Sequence, residues 1–281
     1  MRVRSPSLEN VTDAQRLSGY VDVWWQAVDD FTHLLEEVPP ERWSTPTDLP
    51  GWDVHACAAH TAHLEAVLAG GPEETVEIEV PAHVRGILGV YTEQGVAARR
   101  DRTADDLINE IREACTARRT ALLASPPVDG SARPEVIFGG VDWSWERLLR
   151  NRPLDVWMHE QDVRRAVARP GGLDSPAAGH TADYLLESLG LVLAKRAGAP
   201  AGSTLVAEVD GSAPVAFVVN VDGRGVRLDH LPAEPTVRLA MSREAFVVLA
   251  GGRRGPDDVT VDVTGDADLA ARVLASMAVT P

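Results

Sequence analysis

The stretch Arg150-Asn-Arg-Pro-Leu-Asp-Val-Trp-Met-His-Glu-Gln-Asp-Val-Arg-Arg-Ala-Val167 combines helix-forming residues with a dense set of polar functional groups. Its centre is the pair Asp155 and His159. Four residues advance an α-helix by about 400° and roughly 6 Å, so both side chains project from one face. This separation suits two ligands of one metal ion, but such acid–histidine pairs also occur on ordinary helix surfaces. A third ligand would have to come from elsewhere in the chain.

The first two thirds of the chain, which include this stretch, show the apolar spacings of three and four that are typical of amphipathic helices. Helices are predicted at about 12–38, 53–70, 84–100, 104–124, 143–168 and 176–196. Thr12 and Thr103 begin capping boxes, and Asp53 can cap the second helix. At Pro153 either the helix is kinked or Asn151 caps a fresh start. The pattern favours an antiparallel bundle, whose interior is a common place for a metal site.

After about residue 200 the residues become β-branched and partly alternating. Strands are predicted at 203–209, 213–221, 225–229, 236–240 and 259–264, with helices at about 242–250 and 267–277. Asp210-Gly211 and Asp222-Gly223 are strong hairpin signals. The predicted fold class is therefore α+β with two domains, a helical bundle over 1–172 and a smaller C-terminal domain over 173–281.

The composition is that of a folded protein. The 281 residues are 44% hydrophobic and 25% charged, with a net charge of −15 that disfavours nucleic acid as a partner. Cys57 and Cys115 are too few for a disulfide framework and are expected to be reduced thiols. Residues 1–10 are predicted to be a frayed tail without the apolar segment of a signal peptide. No apolar run reaches the roughly 18–20 residues of a membrane span, so we expect a cytoplasmic protein without a membrane partner.

Three histidines lie within nine residues of the second predicted helix, namely His55, His60 and His63. A lone histidine is by default a core or surface residue, and this density raises the odds of a ligand role. If this helix faces the helix of Asp155 and His159, His60 can complete a set of two histidines and one carboxylate. One position then remains for water or substrate, which is the ligand count of a catalytic zinc rather than a structural one.

Several motifs, taken in order, resemble the mycothiol-dependent maleylpyruvate isomerase family. They are Leu49-Pro-Gly-Trp52 followed by His60, Asp155-x-x-x-His159-Glu-Gln-Asp162-Val-Arg164, Leu249-Ala-Gly-Gly-Arg253 and Val263-Thr-Gly-Asp266. The resemblance covers nearly the whole chain. It implies a DinB-like four-helix bundle with a divalent metal, followed by a smaller α/β domain similar to sterol-carrier folds.

The resemblance also implies roles for individual residues. His60, Asp155 and His159 become the metal ligands, although the isomerase has glutamate where this chain has Asp155. A carboxylate shorter by one methylene reaches about 1.5 Å less far, so either the helix sits closer or the ligand set shifts. Arg253 matches a functional arginine of the family, with Arg254 as an adjacent rival, and would hold a substrate carboxylate or polar groups of the thiol.

The implied cofactors are a divalent metal, with zinc favoured by the two imidazoles, and mycothiol as co-substrate. A metal lowers the pKa of a bound thiol, and the thiolate would add to the double bond of maleylpyruvate, permit rotation and be eliminated from the trans isomer. The partners are then a small-molecule substrate and a low-molecular-weight thiol. Proteins of this architecture also include thiol transferases. The alternatives are a metal-dependent hydrolase, with His55 or His63 as base, and a non-enzymatic protein that binds a small ligand.

Overall fold

The described part of the chain, residues 11–280 of a computed structural model, divides into two units by its contacts. The helical unit comprises residues up to Thr45 together with Asp53–Glu160, and the sheet-containing unit comprises Pro46–Trp52 and the residues from Gln161 onward. The predicted α+β class with two domains is confirmed. The limits 1–172 and 173–281 stay a prediction, as do the finer DinB-like and sterol-carrier-like assignments. The frayed tail predicted for residues 1–10 lies outside the described residues.

The helices of the helical unit begin and end close to their predicted positions. They are α1 (Asp13–Glu36), α2 (Val54–Leu68), α3 (Gly86–Ala97), α4 (Ala104–Ala124) and α5 (Trp145–Ala166). Helix α5 belongs to the helical unit up to Glu160, and its last turns belong to the other unit. The capping boxes at Thr12 and Thr103 are both formed, and the Asp53 side chain caps α2. Helix α5 runs continuously through Pro153, so Asn151 does not start a new helix.

Apolar faces hold the helical unit together. Helix α4 packs against α1 and α2, and α3 packs against α2. Trp24, Phe31, Ile111 and Trp157 are each at most 1% exposed. Burial of one such large side chain stabilises the fold by roughly 1.5–3 kcal/mol. This packing fixes which sides of the helices face one another, and several buried polar side chains lie on those sides.

The helix predicted over 176–196 is interrupted in the structure. Helix α6 (Pro176–Leu186) ends first, and a three-residue α7 (Leu189–Leu191) leads into a π-helical turn at Val192–Arg196. The Ser188 hydroxyl donates to the carbonyl of Leu185 at 2.6 Å, which competes with continuation of the helical hydrogen bonds. The backbone also approaches the sheet so closely at Gly190 that a Cβ there would lie 3.0 Å from the carbonyl oxygen of Gly225. The prediction of one continuous helix was therefore wrong.

A five-stranded sheet forms the centre of the second unit. Its strands are β1 (Thr204–Val209), β2 (Val215–Val219), β3 (Gly225–Leu228), β4 (Val237–Met241) and β5 (Asp262–Gly265), with helices α8 (Arg243–Ala250) and α9 (Ala267–Ala275). The strand order is β3-β2-β1-β4-β5, and only the β1–β4 pairing is parallel. Both predicted hairpins are formed, and Gly211 and Gly223 adopt φ values of 77° and 68° in their turns.

Two predictions from composition can be compared with the described residues. Cys57 and Cys115 are both free and buried, as expected for reduced thiols. Between residues 11 and 280, no helix combines the length with the apolar character that crossing a membrane requires.

Candidate metal centre

Helices α2 and α5 bring three of the predicted site residues together. The Nε2 atom of His60 lies 3.4 Å from Oδ2 of Asp155, and Nε2 of His159 lies 3.9 Å from Oδ1 of the same carboxylate. The two imidazole rings meet edge to face with 4.8 Å between their centroids. One ligand atom from each of the three residues can be chosen so that all lie within 4.8 Å of one another. Two helices distant in sequence thus present three donors to one point.

The donor set fits a divalent metal ion. In a tetrahedral site with metal–ligand bonds of about 2.0–2.1 Å, neighbouring ligand atoms are about 3.3 Å apart. The 3.4 Å between Nε2 of His60 and Oδ2 of Asp155 matches this value, whereas Nε2 of His159 lies 3.9 Å from the other oxygen, Oδ1. With one ligand atom from each residue the three lie within 4.8 Å of one another, so they would have to move closer together to bind one ion. The two oxygens of the Asp155 carboxylate thus face one histidine each.

The electrostatics of His60 and Asp155 favour the protonation states that bind metal. Burial lowers the pKa of His60, although the Asp155 carboxylate opposes that effect. Burial alone would raise the pKa of Asp155, but the Arg152 guanidinium and the two histidines outweigh it and hold this pKa well below its usual value. A neutral imidazole beside an ionised carboxylate is the combination that a metal ion needs, because ligands must give up their protons before they bind.

A buried cluster of charges lies directly behind the carboxylate. Glu65 is fully buried, and its oxygens accept from Arg118 at 2.8 Å, from Nε of Arg152 at 2.9 Å and from the Trp24 indole at 3.0 Å. Burial would raise the pKa of Glu65, but the two arginines and Trp24 outweigh it and lower this pKa. Nη2 of Arg152 also lies 3.0 Å from Oδ2 of Asp155. The cluster therefore connects a structural carboxylate with a candidate metal ligand.

Sequence reasoning did not find this cluster. Arg152 stands three residues before Asp155 and could have been noticed, because that spacing places two side chains on one helix face. Glu65 carried a weaker signal, since it interrupts the apolar run around Leu64 and Val67 of α2. A charged residue at such a position is usually solvated, and only the packing of α1, α4 and α5 around it shows that it is buried.

The other two histidines of α2, His55 and His63, occupy different environments. His55 places Nε2 2.9 Å from the carbonyl oxygen of Arg102, near the start of α2. His63 is fully buried against Tyr91, and among the described residues neither of its ring nitrogens has a hydrogen-bond partner. Burial, followed by the charges of Arg99 and His60, lowers the pKa of His63 to about 3. A histidine with this pKa is a poor general base at neutral pH.

His63 is expected to make the fold sensitive to acid. The unfolded chain takes up a proton at a pKa of about 6.5, whereas folded His63 stays neutral until about pH 3. The unfolded state thus binds more protons between these values, and the free energy of unfolding falls as the pH falls through this window. Between about pH 7 and about pH 5 the contribution is on the order of 1–2 kcal/mol.

Urea unfolding of the wild type and of His63→Leu at both pH values tests this expectation. The variant should lose less stability on acidification than the wild type, whatever its stability at neutral pH. Equal losses in the two proteins would show that His63 does not contribute to acid sensitivity.

Arg253 follows α8 in the sheet-containing unit and is held by that unit. Its guanidinium donates to both carboxylate oxygens of Asp162, at 3.2 and 3.0 Å, and to Gly251 and Thr280 at 2.7 and 3.2 Å. Its side chain is 5% exposed. Arg254 is 40% exposed and pairs with Asp48 at 3.2 Å. The two rival arginines thus differ clearly, one being fixed and buried and the other lying at the surface.

Comparisons with known proteins extend these observations. The crystal structure of the mycothiol-dependent maleylpyruvate isomerase is similar at a TM-score of 0.53 and 20% identity, and a histidine-to-alanine mutant of that enzyme is similar at 0.52 and 18%. Each similarity covers 89% of this chain and 94% of the other, and at these identities it shows the fold alone. No curated protein matches the sequence.

Two family profiles match consecutive parts of the chain. The profile described as the mycothiol maleylpyruvate isomerase N-terminal domain matches residues 24–164, and the profile for the C-terminal domain of the same family matches residues 180–272. The first profile alone spans just over half of the sequence. The chain therefore belongs to the mycothiol-dependent maleylpyruvate isomerase family.

Proposed function

We propose that this protein is a metal- and thiol-dependent enzyme. His60, Asp155 and His159 hold a divalent ion, and mycothiol or a related low-molecular-weight thiol is activated there for addition to a small electrophilic substrate. The observation that carries the proposal is the convergence of these three ligand atoms within 4.8 Å. Family membership supplies the thiol, and the ligand geometry supplies the reason for a metal.

Zinc is the ion that we propose, because two imidazoles and one carboxylate suit it, although the carboxylate also suits iron, nickel or manganese. When bound, the ion supplies Lewis acidity that lowers the pKa of a thiol, so that the thiol is a nucleophilic thiolate at neutral pH. The protein holds the three ligands and leaves one position for the thiol. The side chain of Asp155 is 21% exposed, whereas those of His60 and His159 are 6% and 8% exposed, so solvent reaches the group from the side of Asp155.

The thiol is proposed to come from outside the protein. Burial raises the pKa of the Cys115 thiol well above its ordinary value. Cys57 is also fully buried. A buried thiol with a raised pKa is inert, because the thiolate is the reactive form. A low-molecular-weight thiol would supply the nucleophile that Cys115 does not.

Two outcomes are possible after the thiolate adds to a conjugated double bond. If the adduct loses the thiol again after rotation about the new single bond, the protein is an isomerase. If the adduct is released, the protein is a thiol transferase. Arg253 is proposed to bind a substrate carboxylate or polar groups of the thiol, for which a planar guanidinium is suited. Because Arg253 makes four hydrogen bonds within the protein, such binding requires at least one of them to be exchanged.

The decisive experiment is a thiol-dependence assay on the zinc-loaded protein. We expect turnover of maleylpyruvate, or of a model electrophile, only when mycothiol is added. Protein treated with a chelator is the control and should be inactive until zinc is restored. Turnover of esters or amides without thiol would instead indicate the hydrolase. Absence of turnover in a protein that contains stoichiometric metal would indicate a non-enzymatic small-ligand-binding protein.

A further inference from the structure

We infer that Arg152 is a positioning residue of the metal centre, which holds the Asp155 carboxylate while Glu65 holds Arg152. This inference rests on the proposed function, because Asp155 needs positioning only if it binds an ion. It concerns residues of α2 and α5 that neither the sequence motifs nor the family comparison pointed to.

The contacts of Arg152 place it between the two carboxylates. Its Nε and Nη2 atoms lie 2.9 Å from Oε1 of Glu65, and Nη2 also lies 3.0 Å from Oδ2 of Asp155. Arg152 is fully buried, as is Glu65. Arg152 contacts Oδ2, the oxygen that also faces His60, while Oδ1 faces His159, so Arg152 sets the direction in which the carboxylate presents both oxygens to the histidines. The Nε–H group of Arg152 donates to Glu65, and Nη2 forms ion pairs with both carboxylates, so this buried guanidinium has little freedom and restricts the orientation of Asp155.

The charges of the cluster cancel. Glu65 and Asp155 are negative, Arg118 and Arg152 are positive, and three ion pairs join them in the order Arg118, Glu65, Arg152, Asp155. The three ligand residues and their supporting charges therefore present a nearly neutral environment. A divalent ion in such an environment keeps most of its positive charge for an anionic fourth ligand, and a thiolate is such a ligand.

Arg118 provides a matched control for Arg152. Both arginines are buried and both pair with Glu65, at 2.8 and 2.9 Å. Among the described residues, however, Arg118 forms its ion pair with Glu65 alone and lies over the Trp24 ring, whereas Arg152 also pairs with Asp155. Substitution of either arginine disturbs the cluster, but only substitution of Arg152 should affect the candidate ligand.

The test measures zinc affinity of the purified full-length protein by competition with a chromogenic chelator. Arg152→Lys keeps the charge but loses the second nitrogen, so it cannot hold Glu65 and Asp155 in the same way. Zinc binding should weaken about tenfold or more, as is typical when a partner of a metal ligand is removed. Arg118→Lys should stay within about twofold of the wild type, because Glu65 and Arg152 lie between Arg118 and the ligand Asp155. Thermal unfolding without zinc confirms that both variants are folded.

A double-mutant cycle separates positioning from general destabilisation. If Arg152 acts through Asp155, Arg152→Lys should cause no further loss of zinc affinity in the Asp155→Asn background. Equal losses in both backgrounds would show a merely structural role and overturn the inference. If Arg152→Lys does not fold, the double variant Glu65→Gln with Arg152→Met removes one charge of each sign, and it should show the same loss of zinc affinity.

The remaining outcomes distinguish the inference from the proposed function. If the wild type binds no zinc, both are overturned. If the wild type binds zinc and Arg152→Lys binds it equally well, or if Arg118→Lys loses as much affinity as Arg152→Lys, the inference is overturned and the proposed function stands.

Discussion

Replacement of His60 by alanine is expected to weaken zinc binding about a hundredfold and to abolish thiol-dependent turnover. Structural zinc sites with four ligands contribute about 10–16 kcal/mol, so one ligand corresponds to about 3 kcal/mol, or roughly a hundredfold in affinity. His60 is the only one of the three ligand residues that α2 provides. Without it, Asp155 and His159 remain as a pair on one helix, which is too few ligands for a tight site. Zinc content after dialysis and chelator competition measure the loss.

The control for this variant is His55→Ala, in the same helix. His55 contacts the carbonyl oxygen of Arg102 and lies outside the group of three ligands. Its replacement should leave zinc affinity and turnover within about twofold of the wild type, because a surface substitution away from a site has small effects. Unchanged zinc content in His60→Ala would show that the metal, if present, binds elsewhere, and the proposed centre would then be wrong.

Much of the fold followed from local signals in the sequence. Thr12, Asp53 and Thr103 each mark the start of a helix by a side chain that caps free backbone N–H groups, and all three do so in the structure. The Asp-Gly turns that contain Gly211 and Gly223 likewise predicted two hairpins, because each turn needs a positive φ at its glycine. These signals work because cause and effect lie within a few residues.

The break after α6 could not be predicted in the same way. The apolar spacing of 176–196 is helical throughout, but the close approach of Gly190 to Gly225 depends on strands that come later in the chain. The candidate site was likewise predictable only in part. The spacing of Asp155 and His159 indicated a shared face, and the order of motifs pointed to His60. The partners of Glu65, however, come from three other helices, and the spacing of residues within one helix cannot predict contacts between helices.

Glu65→Gln is expected to lower the free energy of unfolding by about 3 kcal/mol or more, the typical cost of breaking a buried ion pair from one side. The variant keeps the size of the side chain but removes the negative charge between two buried guanidinium groups. Arg118 would lose its only ion pair among the described residues, while Arg152 would keep Asp155. Urea unfolding at neutral pH measures the loss directly.

Glu146→Gln is the matched control for Glu65→Gln. Glu146 also joins an arginine and an aromatic donor of α1, since it accepts from Arg16 at 3.0 Å and from the Tyr20 hydroxyl at 2.9 Å. Its side chain, however, is 29% exposed, and ion pairs in contact with water contribute about 1 kcal/mol or less. Equal losses in the two variants would mean that water or neighbouring groups already compensate the charges around Glu65. A much larger loss at Glu65 would show that burial, rather than the number of contacts, sets the importance of this carboxylate.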